Sequence, residues 1–311
     1  MNKKFLNLYT RFLRKFFKIK KPLKAVFDCS NGTAGLILKN FLKPKTQNLK
    51  PIFINQTPDG NFPAHGPNPL GPGALKQLQT AVEKQRADLG VIFDVDGDRI
   101  FIIDDQSRFV NPDIVAWLLI WHLEPKKVII DARFGWLVKK FQVSSSKFQV
   151  FESKVGNYFI KKLIREKKAD FGAEQSGHYY FKKFFNADSG ILAAIEIINA
   201  VSRLPYKLSE LIEFLPAYYR SGELNFPVKQ IKQKERLMNR LKKEYQHKAV
   251  KISELDGLKM EFNPPAGKWW FNIRPSNTEP LIRLNIEAVS KKILDQKIKE
   301  FRSFIASCGR Y

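Results

Sequence analysis

The chain has 311 residues, of which 44% are hydrophobic and 27% charged; this excludes a disordered or collagen-like chain and is too long for one ordinary core. Two cysteines, Cys29 and Cys308, stand at opposite ends without C-x-x-C spacing, which excludes a disulfide framework and a structural zinc site and points to a reducing, cytoplasmic compartment. The net charge of +24 asks whether the partner is nucleic acid, and the pattern along the chain answers against it.

Residues 1–20 read as one helix, closed by Lys20-Lys21-Pro22. Phe5, Leu8, Phe12, Leu13, Phe16 and Phe17 recur at helical spacing, so a packed amphipathic helix accounts for the basic residues among them. The basic clusters at 161–168 and 229–243 read as solvated helix faces, and no nucleic-acid role is expected. Arg11, Arg14 and Lys15 interrupt the apolar run that a signal peptide needs. A strand over 24–29 then meets the turn Ser30-Asn31-Gly32-Thr33-Ala34-Gly35. It has neither the P-loop ending nor G-x-G-x-x-G, and reads as a strand-to-helix turn needing glycine.

The next strand covers 52–54, a Pro/Gly/Asn-rich loop 57–72 and a helix 74–86. The apolar strand 88–93 runs into Asp94-Val95-Asp96-Gly97-Asp98-Arg99, and 100–103 resumes a mixed, largely parallel sheet. Asn111-Pro112 opens a helix to about residue 123, whose apolar stretch is too short to cross a bilayer, which needs about 20 residues. A second α/β unit follows, with strands at 127–130, 150–151 and 169–171, a helix at 157–166, a hairpin at 179–181 and a long helix from Ser189. The pattern changes around 215–223. A third unit has a helix over 233–245, strands over 258–262, 269–273 and 283–288, and a terminal helix over 291–305. The predicted fold is thus two similar α/β domains with mixed sheets, then a smaller α+β C-terminal domain. The boundaries are a linking helix at 1–20, α/β domains at 21–112 and 113–217, and the α+β domain at 218–311.

Three constellations carry chemistry. Asp94, Asp96 and Asp98 crowd three carboxylates beyond the carboxyl end of an apolar strand, where ligands of α/β sheets usually sit. They repel unless a divalent cation neutralises them, and hard oxygen ligands favour Mg²⁺ or Ca²⁺ over Zn²⁺. An exposed acidic turn is the bland alternative, and it does not account for the apolar strand leading in. Gly172-Ala173-Glu174-Gln175-Ser176-Gly177-His178 offers Glu, Ser and His on a glycine-bracketed loop, suited to vicinal sugar hydroxyls. Arg274-Pro275-Ser276-Asn277-Thr278-Glu279-Pro280 offers a guanidinium, hydroxyls, an amide and turn N–H groups to a phosphate dianion.

In this order the three stretches resemble the signature loops of the phosphohexomutase superfamily, of the phosphomannomutase/phosphoglucomutase kind: D-G-D-x-D-R, G-E-x-S-G-H and R-x-S-N-T-E-P. Residues 28–35, Asp59–Pro63 with Pro67-Asn68-Pro69, and 219–223 resemble connecting segments of the same family. The resemblance implies exchange between hexose 1-phosphate and hexose 6-phosphate, of mannose or glucose, through a bisphosphate and an enzyme phosphoserine. It implies Mg²⁺ on Asp94, Asp96 and Asp98 with Arg99 beside it, sugar hydroxyls on Glu174, Ser176 and His178, and the non-reacting phosphate on Arg274, Ser276, Asn277 and Thr278. The family's serine lies in a T-A-S-H-N-P-like loop of a first domain, and no Ser-His pair occurs here. The expectation is therefore a set of domains two to four, inactive by itself, with the phosphoserine domain either supplied by a separate chain or lost through a fragmented reading frame. Val95 replaces a usual glycine, and Asn157 stands where many members have His. Two alternatives remain: a sugar-phosphate-binding remnant without turnover, and a Mg²⁺-dependent phosphatase with Asp94 as nucleophile. Phe93-Asp94-Val95-Asp96-Gly97 resembles the haloacid-dehalogenase nucleophile strand, but Asp98-Arg99 departs from that pattern.

Overall fold

The computed structural model describes residues 3–42, 48–145, 147–228, 231–276 and 279–308. They divide into two compact units. The first comprises Met1–Ile130, Leu137–Phe151 and Lys161–Leu215; the second comprises Asp131–Trp136, Glu152–Ile160 and Pro216–Tyr311.

The first unit opens with α1 (Lys3–Arg14), β1 (Leu23–Asp28), α2 (Ala34–Phe41), β2 (Leu49–Ile54), α3 (Leu75–Gln85), β3 (Leu89–Phe93), β4 (Ile100–Asp104) and β5 (Phe109–Val110). Its five strands run in the order β2-β1-β3-β4-β5. β1 is parallel to β2 and β3, whereas β3–β4 and β4–β5 are antiparallel. The sheet is mixed, as expected, but not largely parallel. The connection across 94–99 is too short for a parallel crossover, which takes about a dozen residues or more, so β4 must turn back on β3. Val26, Leu78, Val82, Ile92, Phe101 and Ile103 form the core beneath α3, each contributing about 1.5–3 kcal/mol for full burial.

The expected helix over 1–20 stops at Arg14. The N–H groups of Lys15, Phe16 and Phe17 bond three residues back, tightening the last turn. Beyond it the chain has no regular secondary structure before β1, with the N–H groups of Lys18 and Lys20 donating to Asn199 Oδ1 at 2.8 Å and Ser202 Oγ at 2.9 Å. These partners, distant in sequence, outweigh the local helical pattern there.

The chain continues through α4 (Pro112–Leu123), β6 (Lys127–Asp131), α5 (Trp136–Ser145), β7 (Gln149–Ser153), α6 (Asn157–Lys167), β8 (Phe171–Ala173), β9 (Tyr179–Phe181), β10 (Ala187–Asp188), α7 (Gly190–Arg203) and α8 (Leu208–Phe214). The second sheet runs β10-β9-β8-β6-β7. Asn111 caps α4 by accepting the Asp113 N–H, with Pro112 at the first helical position. Ser189 caps α7 in the same way through the Leu192 N–H. Every residue of α7 from Gly190 to Ser202 is buried, because the helix packs against both α4 and β4. α5 and α8 are additions to the elements predicted.

The second unit adds β11 (Tyr219–Arg220), β12 (Leu224–Pro227), α9 (Ile231–Tyr245), β13 (Lys251–Ser253), β14 (Leu258–Phe262), β15 (Trp269–Pro275), β16 (Leu281–Ala288) and α10 (Lys291–Cys308). The antiparallel sheet β11-β16-β15-β14-β13, with β12 also on β16, packs one apolar face against α9 and α10. Tyr245 stacks on Phe301 at 5.5 Å between ring centroids in that core. On the other side, Lys259 is 4% exposed. Its Nζ donates to the carbonyls of Ala132 at 2.7 Å and Phe134 at 2.9 Å and lies 4.2 Å from the Trp270 ring centroid. Buried Glu287 accepts from the Trp136 N–H and from Trp270 Nε1. The segment Asp131–Trp136 is thereby fastened to this sheet. Among the described residues, no helix is long and apolar enough to cross a membrane.

Candidate active site

In the first unit, the wholly buried β3 delivers Asp94 at its carboxyl end, itself buried, and the register Phe93↔Ile100 makes 94–99 a hairpin connection. Gly97, at φ +76°, turns it. One oxygen from each of Asp94, Asp96 and Asp98 lies within 4.8 Å of the others. Oxygens on opposite sides of one Mg²⁺ or Ca²⁺ are about 4–5 Å apart, so the set fits a single hard cation. Arg99 Nε holds Asp94 Oδ2 at 2.5 Å and lies 3.9 Å from Asp98 Oδ1, so one guanidinium faces a cluster of three carboxyl groups. Burial pushes the Asp98 carboxyl up to about 7, with repulsion from Asp94 adding to it against the pull of His178. Asp94 is held below its ordinary value: burial acts upward, and hydrogen bonds from Arg99 outweigh it. Asp98 Oδ1 is buried and accepts no hydrogen bond from the described residues, which is the environment a cation would relieve.

The glycine-bracketed loop lies against the same connection. Ile100 N–H donates to the Gly177 carbonyl at 3.1 Å, and Arg99 bridges to His178. A Cβ on Gly177 would come within 2.8 Å of the Ile100 carbonyl, so only glycine permits this approach. His178 Nδ1 is thereby placed 3.6 Å from Asp98 Oδ2 and 3.1 Å from Asp188 Oδ2. Burial lowers the imidazole's affinity for a proton, and the Asp188, Asp98 and Glu174 carboxylates more than reverse this, so its pKa is raised. Asp188 is held at about 2, because contacts from His178 and Lys161 overcome its burial. Glu174 is buried and accepts from Tyr180 Oη at 2.6 Å; Ser176 is half-buried. The structure thus brings together Asp94, Asp96, Asp98, Arg99, Glu174 and His178 in one unit. Asp188 and Lys161 do not stand out in the sequence, although Asp188-Ser189-Gly190 just before a helix is a usable signal.

The Ser30-Asn31-Gly32-Thr33 turn between β1 and α2 also touches the aspartate loop. Ser30 Oγ donates to the Phe93 carbonyl at 2.5 Å, and Thr33 N–H to the Val95 carbonyl at 2.8 Å. Thr33 Oγ1 lies 3.0 Å from the Asp96 carbonyl and 3.3 Å from that of Val95. The residues at positive φ are Ser30 (51°) and Asn31 (52°), not the glycine, a strain of about 1–2 kcal/mol for Ser. Gly32 is needed because a Cβ would sit 2.2 Å from the Val95 carbonyl. Opposite, Gly190 N–H donates to the Gly97 carbonyl at 3.1 Å.

In the second unit, Arg274 lies in β15 and Ser276 follows it directly. Arg274 is 7% exposed, with Nη2 3.3 Å from Glu223 Oε2 and Nε 3.7 Å from Asp256 Oδ2. Burial raises the Asp256 carboxyl, against the pull of Arg274. Ser276 N–H donates to the Leu281 carbonyl at 2.9 Å and its Oγ accepts from Glu279 N–H at 3.2 Å, closing the turn. Asn277 and Thr278 lie outside the described residues. Arg133 and Arg283 also reach Glu223, at 3.4 and 3.3 Å, so three guanidinium groups share one carboxylate. Lys234 Nζ lies 3.2 Å from the Glu279 carbonyl and 3.4 Å from that of Ser276. Arg283 and Lys234 are not singled out by the sequence. They sit on a strand and a helix whose charges look solvated one by one.

Comparison with known proteins places this arrangement. Residues 7–107, 111–219 and 223–303 match, in that order, the family models described as phosphoglucomutase/phosphomannomutase alpha/beta/alpha domain II, alpha/beta/alpha domain III and C-terminal domain. The chain belongs to the phosphohexomutase superfamily. It is 37% identical over 302 residues to the phosphomannomutase of Methanocaldococcus jannaschii, covering 96% of this chain and 64% of that one. A solved phosphoglucomutase/phosphomannomutase family protein from Burkholderia thailandensis has the same fold, with a TM-score of 0.83 at 24% identity, over 98% of this chain and 65% of that one. An Aspergillus fumigatus N-acetylphosphoglucosamine mutase, solved in complex with GlcNAc-6P and magnesium, shares the fold at a TM-score of 0.69 and 15% identity, over 98% and 65% of the two chains. The chain spans less than two thirds of the length of the curated relatives it matches.

Proposed function

We propose that this chain is the metal-, sugar- and phosphate-binding part of a phosphohexomutase that exchanges the 1- and 6-phosphates of mannose or glucose. The observation that carries the reading is the convergence of three carboxylates at the end of β3 within 4.8 Å of one another, with the His178 loop paired alongside. Asp94, Asp96 and Asp98 hold Mg²⁺, which when bound neutralises charge on a transferring phosphoryl group. Arg99 keeps Asp94 ionised in the metal-free protein. Glu174, Ser176 and His178 bind sugar hydroxyls, with His178 oriented by Asp188. Arg274 and Ser276, with Asn277 and Thr278, bind the phosphate that does not react. The phosphoryl carrier is the phosphoserine of a family first domain, and the compartment of such soluble sugar phosphates is the cytoplasm.

The test is a coupled assay of glucose 1-phosphate or mannose 1-phosphate conversion with the 311-residue chain, alone and with a family first domain added as a second chain. Turnover is expected only in the mixture, with loss on Asp96→Asn or Arg274→Ala. A mixture that binds sugar phosphate yet never turns over leaves a binding protein and removes the mutase. Phosphate release lost in Asp94→Asn and intact in Arg274→Ala replaces it with a phosphatase.

A further inference from the structure

The Ser30–Thr33 turn carries no chemistry of its own, yet it holds three stretches of the aspartate-loop backbone. Ser30 Oγ engages the carbonyl of Phe93, directly before Asp94; Thr33 N–H engages that of Val95; Thr33 Oγ1 reaches that of Asp96. Each contact falls on the peptide next to, or belonging to, a candidate ligand. Ser30 is itself fixed, since its N–H donates to Asp28 Oδ1 at 2.9 Å, and Asn55 Nδ2 donates to the same oxygen at 3.0 Å. His65 Nε2 lies 3.3 Å from the other Asp28 oxygen. Asp28 and Ser30 are buried, whereas Thr33 is exposed, so this support is anchored in a buried network and reaches the surface at Thr33. Residues held at positive φ in such a network are over-determined by their surroundings.

We infer that Ser30 and Thr33 are positioning residues for the cation: they fix the carbonyls of Phe93, Val95 and Asp96 so that the three carboxylates meet at one point. This rests on the reading of Asp94, Asp96 and Asp98 as metal ligands. The close approach is made by Gly32, whose missing Cβ leaves room for the Val95 carbonyl. The backbone of Val95, not its side chain, is what the turn grips.

The experiment is Mn²⁺ binding to the full chain at neutral pH, followed by electron paramagnetic resonance and calorimetry, for the wild type and for Thr33→Val, Thr33→Ser and Ser30→Ala. Loss of a group that orients a metal ligand typically changes affinity about 10–100-fold. Thr33→Val and Ser30→Ala are expected to weaken Mn²⁺ about tenfold or more, with Thr33→Ser restoring near-wild-type affinity because it keeps the hydroxyl. Valine is isosteric with threonine, and Ser30→Ala removes one oxygen, so folding is checked by circular dichroism and either variant alone decides the matter. Wild-type affinity in either folded variant overturns the inference and leaves the metal reading intact. A wild type that binds no Mn²⁺, while Asp96→Asn is equally silent, overturns the metal reading and the inference with it.

Discussion

Arg99 Nε lies 2.5 Å from Asp94 Oδ2, and the N–H of the same arginine donates to Asp94 Oδ1 at 3.1 Å. One residue thus saturates the deepest carboxylate of the loop from two directions. It supplies the counter-charge that Asp94 needs while no cation is present.

The exchange of counter-charges can be measured. Breaking a fully buried ion pair costs about 3–5 kcal/mol. With the Arg99 side chain 34% exposed, solvent screening reduces the expected loss for Arg99→Gln to about 1–2 kcal/mol. Saturating Mn²⁺ is expected to shrink that loss, because the ion replaces the guanidinium as partner. Urea unfolding of both proteins, with and without Mn²⁺, checks this; a loss independent of the metal counts against the Asp94 assignment.

His65 gives a pH-dependent term. Its hydrogen bond to Asp28 raises the imidazole pKa, and burial opposes this without cancelling it. A group raised in the folded state stabilises fully below its unfolded value, about 6.5, and this stability is lost as pH climbs through the folded value. Wild type is expected to exceed His65→Gln by about 2 kcal/mol at pH 5.5, and by clearly less at pH 9. An equal margin at both pH values would mean that the pair is not ionic.

Gly257 sits at φ +72°, and a Cβ there would lie 2.2 Å from the Ile273 carbonyl and 2.6 Å from Arg274 Cβ. Gly257→Ala is expected to cost about 2–5 kcal/mol, adding left-handed strain to overpacking. It should also weaken phosphate binding by displacing Arg274. Gly60, with nothing within 4 Å of its missing Cβ, is the control: Gly60→Ala should be close to neutral in thermal unfolding. Equal behaviour of the two variants contradicts the packing argument.

Glu223 occupies an anion's place among Arg133, Arg274 and Arg283. Replacing the carboxylate by an isosteric amide keeps an acceptor for the guanidinium groups and removes one negative charge. Two unit charges about 5 Å apart at an effective dielectric of about 20 interact by about 3 kcal/mol. Glu223→Gln should therefore bind inorganic phosphate about a hundredfold more tightly by calorimetry. Weaker binding would show that Glu223 acts as an orienting residue and not as a competitor.

The aspartate loop was legible in the sequence because an ordinary acidic turn does not need a buried apolar strand running into alternating carboxylates. The glycine-bracketed and arginine loops were legible as polar turns and gained meaning from their order along the chain. What the sequence hid depends on distant partners. α5 carries no side-chain cap of its own; its first N–H, on Trp136, is taken by Glu287, 151 residues later. α8 is short, and its Ser209 N–H is held by Asp105 at 2.9 Å. The end of α1 follows the same rule through Asn199 and Ser202. The turn at Ser30 looked ordinary because its hydrogen bonds reach residues 93–96, far downstream in the chain.

Lys259, enclosed by the Ala132 and Phe134 carbonyls and the Trp270 ring, bears on any attempt to cut the protein into parts. A fragment starting near residue 216 would inherit the ammonium group without the Ala132 and Phe134 carbonyls, and Glu287 without its Trp136 donor. Stripping donors and acceptors from buried charges costs several kcal/mol, comparable to the whole stability of a small domain. The boundary that is natural in sequence is thus not an energetic seam, and an excised C-terminal piece would need the strip Asp131–Trp136 returned before it could stand alone.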